Sequence, residues 1–125
     1  MNKPKLTMAQ QIVQAARAYE KERTGMEAGS VSVVQSAGTL VITIHEALSL
    51  AEKTLAASSE GAAQMQHFHQ QLFTKASQPL RNAIRSITGV DVAESAVVVF
   101  AMGTMVQVFL LATDIPEITW EARSH

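Results

Sequence analysis

The sequence predicts an α+β domain: a four-stranded, mainly antiparallel sheet built from two β-hairpins, with helices gathered on one face. Three observations carry that prediction. Two runs rich in β-branched residues are each interrupted by a glycine-containing pair, Ala37-Gly38 and Met102-Gly103, as hairpin turns require. Capping boxes at Thr7–Gln10 and Ser49–Glu52 mark two helix starts. Between the hairpins, apolar residues recur at helical spacing from Met65 to Ile87. The order is helix, hairpin, short helix, long helix, hairpin, and residues 1–125 are expected to form one domain.

The first helix, within residues 1–25, starts at Thr7, carries Met8, Ile12, Ala15, Ala16 and Tyr19 along one side, and stops at Gly25. In VSVVQSAGTLVITI, a two-residue turn at Ala37-Gly38 sets Val33 opposite Ile42 and Val31 opposite Ile44. Ser32, Ser36, Thr39 and Thr43 then share the other face. Ser49 and Glu52 open the short helix LAEKTLAA, which Ser58, Ser59 and Gly61 interrupt. The long helix runs to about Thr88, with Gly89 as its left-handed stop and Met65, Phe68, Leu72, Ala76, Leu80, Ile84 and Ile87 as its stripe. Pro79 removes a backbone donor inside it, which predicts a kink or break near Ser77-Gln78. The tail, residues 114–125, leaves through Pro116 and holds the only tryptophan, Trp120.

Ser95 to Thr113 is nineteen residues without a charge, close to the roughly 20 apolar residues that carry a helix across a bilayer. Composition argues for strands instead. Val97, Val98, Val99, Val106 and Val108, with Phe100 and Phe109, suit a pleated surface, and Met102-Gly103 falls where a turn belongs. The flanks, Glu94 and Asp114, are acidic, with no Lys or Arg nearby to orient a span. The expectation is a hairpin and no transmembrane segment. Folding about Met102-Gly103 pairs Phe100 with Met105, Val99 with Val106 and Val97 with Val108. One face then carries Val97, Val99, Val106, Val108 and Leu110. The other carries Ala96, Val98, Phe100, Met105 and Phe109, with Gln107 its only polar member. Helices cover one side; the other needs cover from outside the subunit, and a second copy of the chain is the simplest source. The expected interface is Val98, Phe100, Met102, Met105 and Phe109, in a homo-oligomer with a dimer as first choice.

Ten Lys and Arg against eleven Asp and Glu leave a formal charge of −1, which gives nucleic acid nothing to bind. The absence of cysteine removes disulfides, thiolate nucleophiles and Cys-based zinc sites and fits a reducing compartment. The N-terminus has no continuous apolar core of a secretory signal, so the expected location is cytoplasmic, at most peripheral to a membrane. His67 and His69 are two apart, about 200° around a helix, and cannot chelate one ion from it. His69 sits at the edge of the stripe and His67 faces solvent. His45-Glu46, past the second strand, is the only adjacent base and acid, with no nucleophile or phosphate loop beside it. These residues define the alternative reading, a small-ligand or metal site at His45, Glu46 and His69 between sheet and helices. Arg81 and Arg85, one turn apart opposite the stripe, read as a solvated helix face. The six methionines serve adaptable packing. No catalytic residue, cofactor or metal is expected, and the protein reads as a non-enzyme.

GTLVITIHEALSLAEKTLA, from Gly38 to Ala56, and EGAAQMQHFHQQLFTKASQPLRNAIRSITGVDV, from Glu60 to Val92, resemble the MpsC family of small bacterial proteins. Glu52-Lys53-Thr54-Leu55 and Thr88-Gly89-Val90 are the most telling pieces, and the similarity covers about three-quarters of the chain. That family is named for a component of a sodium-translocating, membrane-potential-generating system, so the resemblance implies a membrane transport protein as a partner. It implies no catalytic residues. Two departures stand out. The stretch from Gly25 to Gly29 lacks the family's proline, and the polar loop usual before the last strand is here the apolar Val97 to Met102.

Overall fold

The computed structural model describes residues 5–122. Thr7 caps α1 (Met8–Thr24): its hydroxyl accepts from the Gln10 N–H at 3.2 Å, and the Gln10 side chain accepts from the Thr7 N–H at 2.9 Å. Gly25, at φ 75°, ends the helix. In β1 (Val31–Ser36) and β2 (Thr39–Ile44), Val33 faces Ile42 and Val31 faces Ile44, as predicted. Ala37 and Gly38 both have positive φ, 50° and 77°, the mirror-image turn whose twist matches that of the strands. Ser49 and Glu52 form the second capping box, opening α2 (Leu50–Ala56). The predicted break is real. α3 (Ser59–Ala76) ends at Ser77, and α4 (Gln78–Thr88) starts there with Pro79 in its first turn, where a missing N–H costs nothing. β3 (Val92–Val99), β4 (Met105–Leu111) and the short α5 (Glu117–Glu121) complete the chain. No helix among the described residues is long and apolar enough to cross a membrane.

The sheet is antiparallel throughout, in the order β1-β2-β4-β3, so β2 and β4 join the two hairpins at its centre. The fold is α+β, as the sequence predicts. Leu40, Ile42 and Ile44 of β2, Met105 and Phe109 of β4, and Val97 of β3 point inward onto Ile12, Ala16, Phe73, Leu80 and Ile84 of the helices. Ile115 and Trp120 bring the tail into the same core, which gives Trp120 a packing role the sequence left open.

Two expectations are corrected. The second hairpin pairs Val99 with Met105, Val98 with Val106 and Ala96 with Val108, one residue away from the predicted register. Its loop is longer than a two-residue turn. The Gly103 N–H donates to the Phe100 carbonyl at 2.9 Å, the Phe100 N–H donates to the Thr104 carbonyl at 2.8 Å, and Gly103 has φ 106°. Gly103 thus closes a three-residue loop in the position that needs positive φ. A one-residue slip turns each β4 side chain to the opposite face. Met105 and Phe109, expected at an outer interface, are therefore buried under the helices, at 2% and 0% exposure.

The second correction concerns α3. Its inward row is Gly61, Met65, His69 and Phe73, and Phe68, placed on the stripe by the sequence, is exposed. His69, expected at the stripe's edge, lies on its centre line. An inward histidine is tolerated because Glu52 of α2 supplies its partner, and Phe73 one turn on meets Phe109, with ring centroids 5.7 Å apart.

Candidate functional site

Strand alternation leaves one face of the sheet without a helix among the described residues, and the register orders it in three rows. Ala96, Val108, Val41 and Val34 run side by side across all four strands as an unbroken apolar band. Next to it run Val98, Val106, Thr43 and Ser32, and on the other side Glu94, Leu110, Thr39 and Ser36. The half made by β3 and β4 is hydrocarbon, the half made by β1 and β2 is mainly hydroxyl, and Glu94 is the one charge in the three rows. Val34, Val98 and Leu110 are 61%, 42% and 41% exposed. Phe100 and Met102 extend the apolar surface beyond the strands at the hairpin tip, where Met102 is 80% exposed.

Of the five predicted interface residues, Val98, Phe100 and Met102 lie on exposed surface, while Met105 and Phe109 belong to the core. Val106, Val108 and Leu110 take their place on the outer face. The signal for this was the parity of one loop, which the glycine position alone did not fix.

Beneath the sheet is a polar seam that the sequence did not announce. Glu20, 3% exposed, holds Arg23 at 2.7 Å and accepts a long bond of 3.4 Å from the Gln107 amide, itself 1% exposed at the sheet's centre. Glu20 continues the four-residue spacing of Ile12 and Ala16, with Arg23 three residues on, and that spacing was the available clue. Burial pushes the Tyr19 hydroxyl above its ordinary pKa, with Arg23 pulling the other way. A cavity of about 10 Å³ lies among Tyr19, Arg23, His69, Met105 and Gln107. The Tyr19 Oη and Gln107 Oε1 are buried without a partner among the described residues. The cavity suits one water molecule and is too small for an organic substrate.

Of the three residues of the alternative ligand site, His45 and His69 go to separate partners and Glu46 faces solvent. His45 is exposed, with Nδ1 3.4 Å from the Thr104 hydroxyl. Glu46 is exposed in a left-handed conformation, φ 55°. His69 is buried, its Nε2 donating to Glu52 Oε2 at 3.0 Å. Among the described residues no group of three or more His, Asp or Glu side chains is placed to hold a metal ion. His67 faces solvent. Arg85 pairs with Asp91 at 3.0 Å on the surface, while the Arg81 Nε is buried without a partner among the described residues.

The Glu52–His69 contact ties α2 to α3. Burial opposes charge on Glu52, yet the Ser49 N–H, the His69 ring and the Ser49 side chain together hold its carboxyl below the ordinary carboxylate pKa. A lowered folded pKa contributes stability above the unfolded value, near 4.5, that is lost as pH falls through the folded one. Glu52→Gln keeps an acceptor for the capping bond and removes the charge. It is expected to unfold at lower urea than wild type at about pH 7, with the gap closing below about pH 4. Urea titrations at the two pH values check this; a gap that widens in acid would contradict it.

Residues 4–113 match the family model described as "Na+-translocating membrane potential-generating system (MpsC)". None of the curated proteins and none of the solved structures matches the chain.

Proposed function

The chain belongs to the MpsC family, and on that premise we propose that it is a non-enzymatic accessory protein of a sodium-translocating membrane system, working as a homodimer paired through the open face of its sheet. The observation that carries the reading is the apolar band Ala96–Val108–Val41–Val34, which no helix among the described residues covers. Twelve strand positions at about 4.8 Å between strands and 3.4 Å per residue make a footprint of roughly 400 Å². Seven of the twelve positions are apolar, roughly 230 Å² of that footprint, and they are contiguous. Two such sheets packed face to face about 10 Å apart form a sandwich core of familiar geometry.

A second copy fits better than a charged partner, because a face with one carboxylate at its edge offers almost nothing for electrostatic recognition. The residues of the hairpin tip, Phe100 and Met102, stay clear of the sandwich and are the surface we assign to the membrane partner. Such a protein sits peripherally on the cytoplasmic side. Sedimentation equilibrium tests the pairing: at least twice the chain mass is expected at micromolar concentration, and the single-chain mass there would overturn it.

A further inference from the structure

The two edges of the sheet are finished differently. In β3 the backbone groups that point away from β4 include the Val97 carbonyl and the Val99 N–H. The Gln66 side chain of α3 meets both: its amide donates to the Val97 carbonyl at 2.9 Å, and its oxygen accepts from the Val99 N–H at 2.7 Å. Gln66 thus occupies the place of one residue of a neighbouring strand. A bulge between Val92 and Glu94 and the Glu94 charge further disqualify that edge from pairing.

β1 has none of these devices. Val31–Ser36 carries no charge, no proline and no break in its register with β2. The His45 N–H donates to the Ser30 carbonyl at 2.9 Å, so the even-numbered residues face β2 and the backbone groups of Val31, Val33 and Gln35 point outward. Among the described residues those groups meet no hydrogen-bond partner.

We propose that β1 is a pairing edge for β1 of a second copy, antiparallel about a two-fold axis at Val33, so that two sheets join into one of eight strands. Self-pairing in this register sets Val33 opposite Val33 of the second copy and Val31 opposite Gln35. All the outward amides and carbonyls then bond, and no like charges meet. On the outer face Ser32 falls opposite Val34, so the row that ends at Val34 meets the Ser32–Thr43–Val106–Val98 row of the second copy. A strand without charge, pairing with itself, needs no complementary sequence from a foreign protein, which is why the occupant is a second copy. The edge contact uses the outward backbone of β1 and the face contact uses side chains, but Val34 and Ser32 belong to the face as well, so the edge is tested in the Val108→Glu background, where the face no longer pairs.

The cross-strand pair supplies the test. Ser32 and Val34 are both exposed, so in the Val108→Glu background S32K/V34K leaves the core untouched while setting lysine opposite lysine twice. It is expected to halve the mass of the assembly in light scattering and to speed amide exchange at Val33 at least tenfold. S32K/V34E sets lysine opposite glutamate in this register and is expected to restore both the mass and the protection. An unchanged mass and an unchanged Val33 exchange rate in S32K/V34K would overturn the proposal. So would failure of S32K/V34E to rescue, or a Val33 amide that slows only when another protein is added. Val108→Glu, which tests the sheet face, is expected to leave exchange at Val33 unaltered, so the two contacts fail separately.

Discussion

Val108→Glu is expected to weaken pairing through the sheet face about 1,000-fold, because each subunit then brings a carboxylate into the dry centre of the sandwich. Val108 stands in the middle of the apolar row, between Ala96 and Val41. In a lone subunit the new carboxylate faces water and costs about 1 kcal/mol or less through strand propensity. Between two sheets it loses that water without gaining a cation, a penalty of several kcal/mol per ion. Each 1.4 kcal/mol is tenfold in Kd, so about 4 kcal/mol gives the stated factor. Sedimentation at graded concentration reads it directly. Ser86→Glu, on an exposed turn of α4, is the control and is expected to change nothing. A Val108→Glu chain that assembles like wild type would remove the outer face from the interface.

The largest effect on the fold itself is expected from Gly61→Ala, about 3 kcal/mol or more. Gly61 lies in the first turn of α3, where its N–H donates to the Ser58 hydroxyl at 3.0 Å. A Cβ there would fall within 2.8 Å of the Leu55 carbonyl carbon and closer still to its oxygen. The obstacle is backbone of α2, so relief requires the two helices to part, loosening Leu48, Ala56 and Met65 together. Gly89→Ala is the informative companion. Gly89 has φ 76° and open space around its Cβ position, so the substitution pays only the left-handed backbone penalty of about 1–2 kcal/mol. Thermal or urea unfolding separates the two; equal losses would mean that the tight α2–α3 approach does not limit stability.

These sites show how far local chemistry carries. The capping boxes at Thr7 and Ser49, the stops at Gly25 and Gly89, the Ala37-Gly38 turn and the break before Pro79 are each decided within a few residues, and all were legible. The second hairpin was legible as a hairpin but not in register. Gly103 suits a two-residue turn and a three-residue loop equally well, and the choice between them exchanges the core and surface sets of β4. His69 was misplaced because its partner Glu52 lies seventeen residues away, across a helix boundary. Glu20 and Gln107 were unreadable as a pair for the same reason at greater separation. Gln66 on the edge of β3 leaves no mark in its neighbours at all. Apart from that register, what the sequence missed is in each case a polar group whose compensation is tertiary.

The outer face itself was foreseen in kind, as an apolar surface the subunit does not cover, but its membership changed with the register. Val106, Val108 and Leu110 replaced Met105 and Phe109. The function proposed rests on what covers it. Methyl NMR with a soluble paramagnetic agent, comparing concentrated and dilute protein, addresses that surface most directly. The Val41, Val106 and Val108 methyls are expected to be shielded when concentrated and strongly relaxed on dilution, while the Phe100–Met102 tip is accessible throughout. Outer-face methyls open to the agent at every concentration, or shielding found on the helix side instead, would contradict pairing through the sheet face.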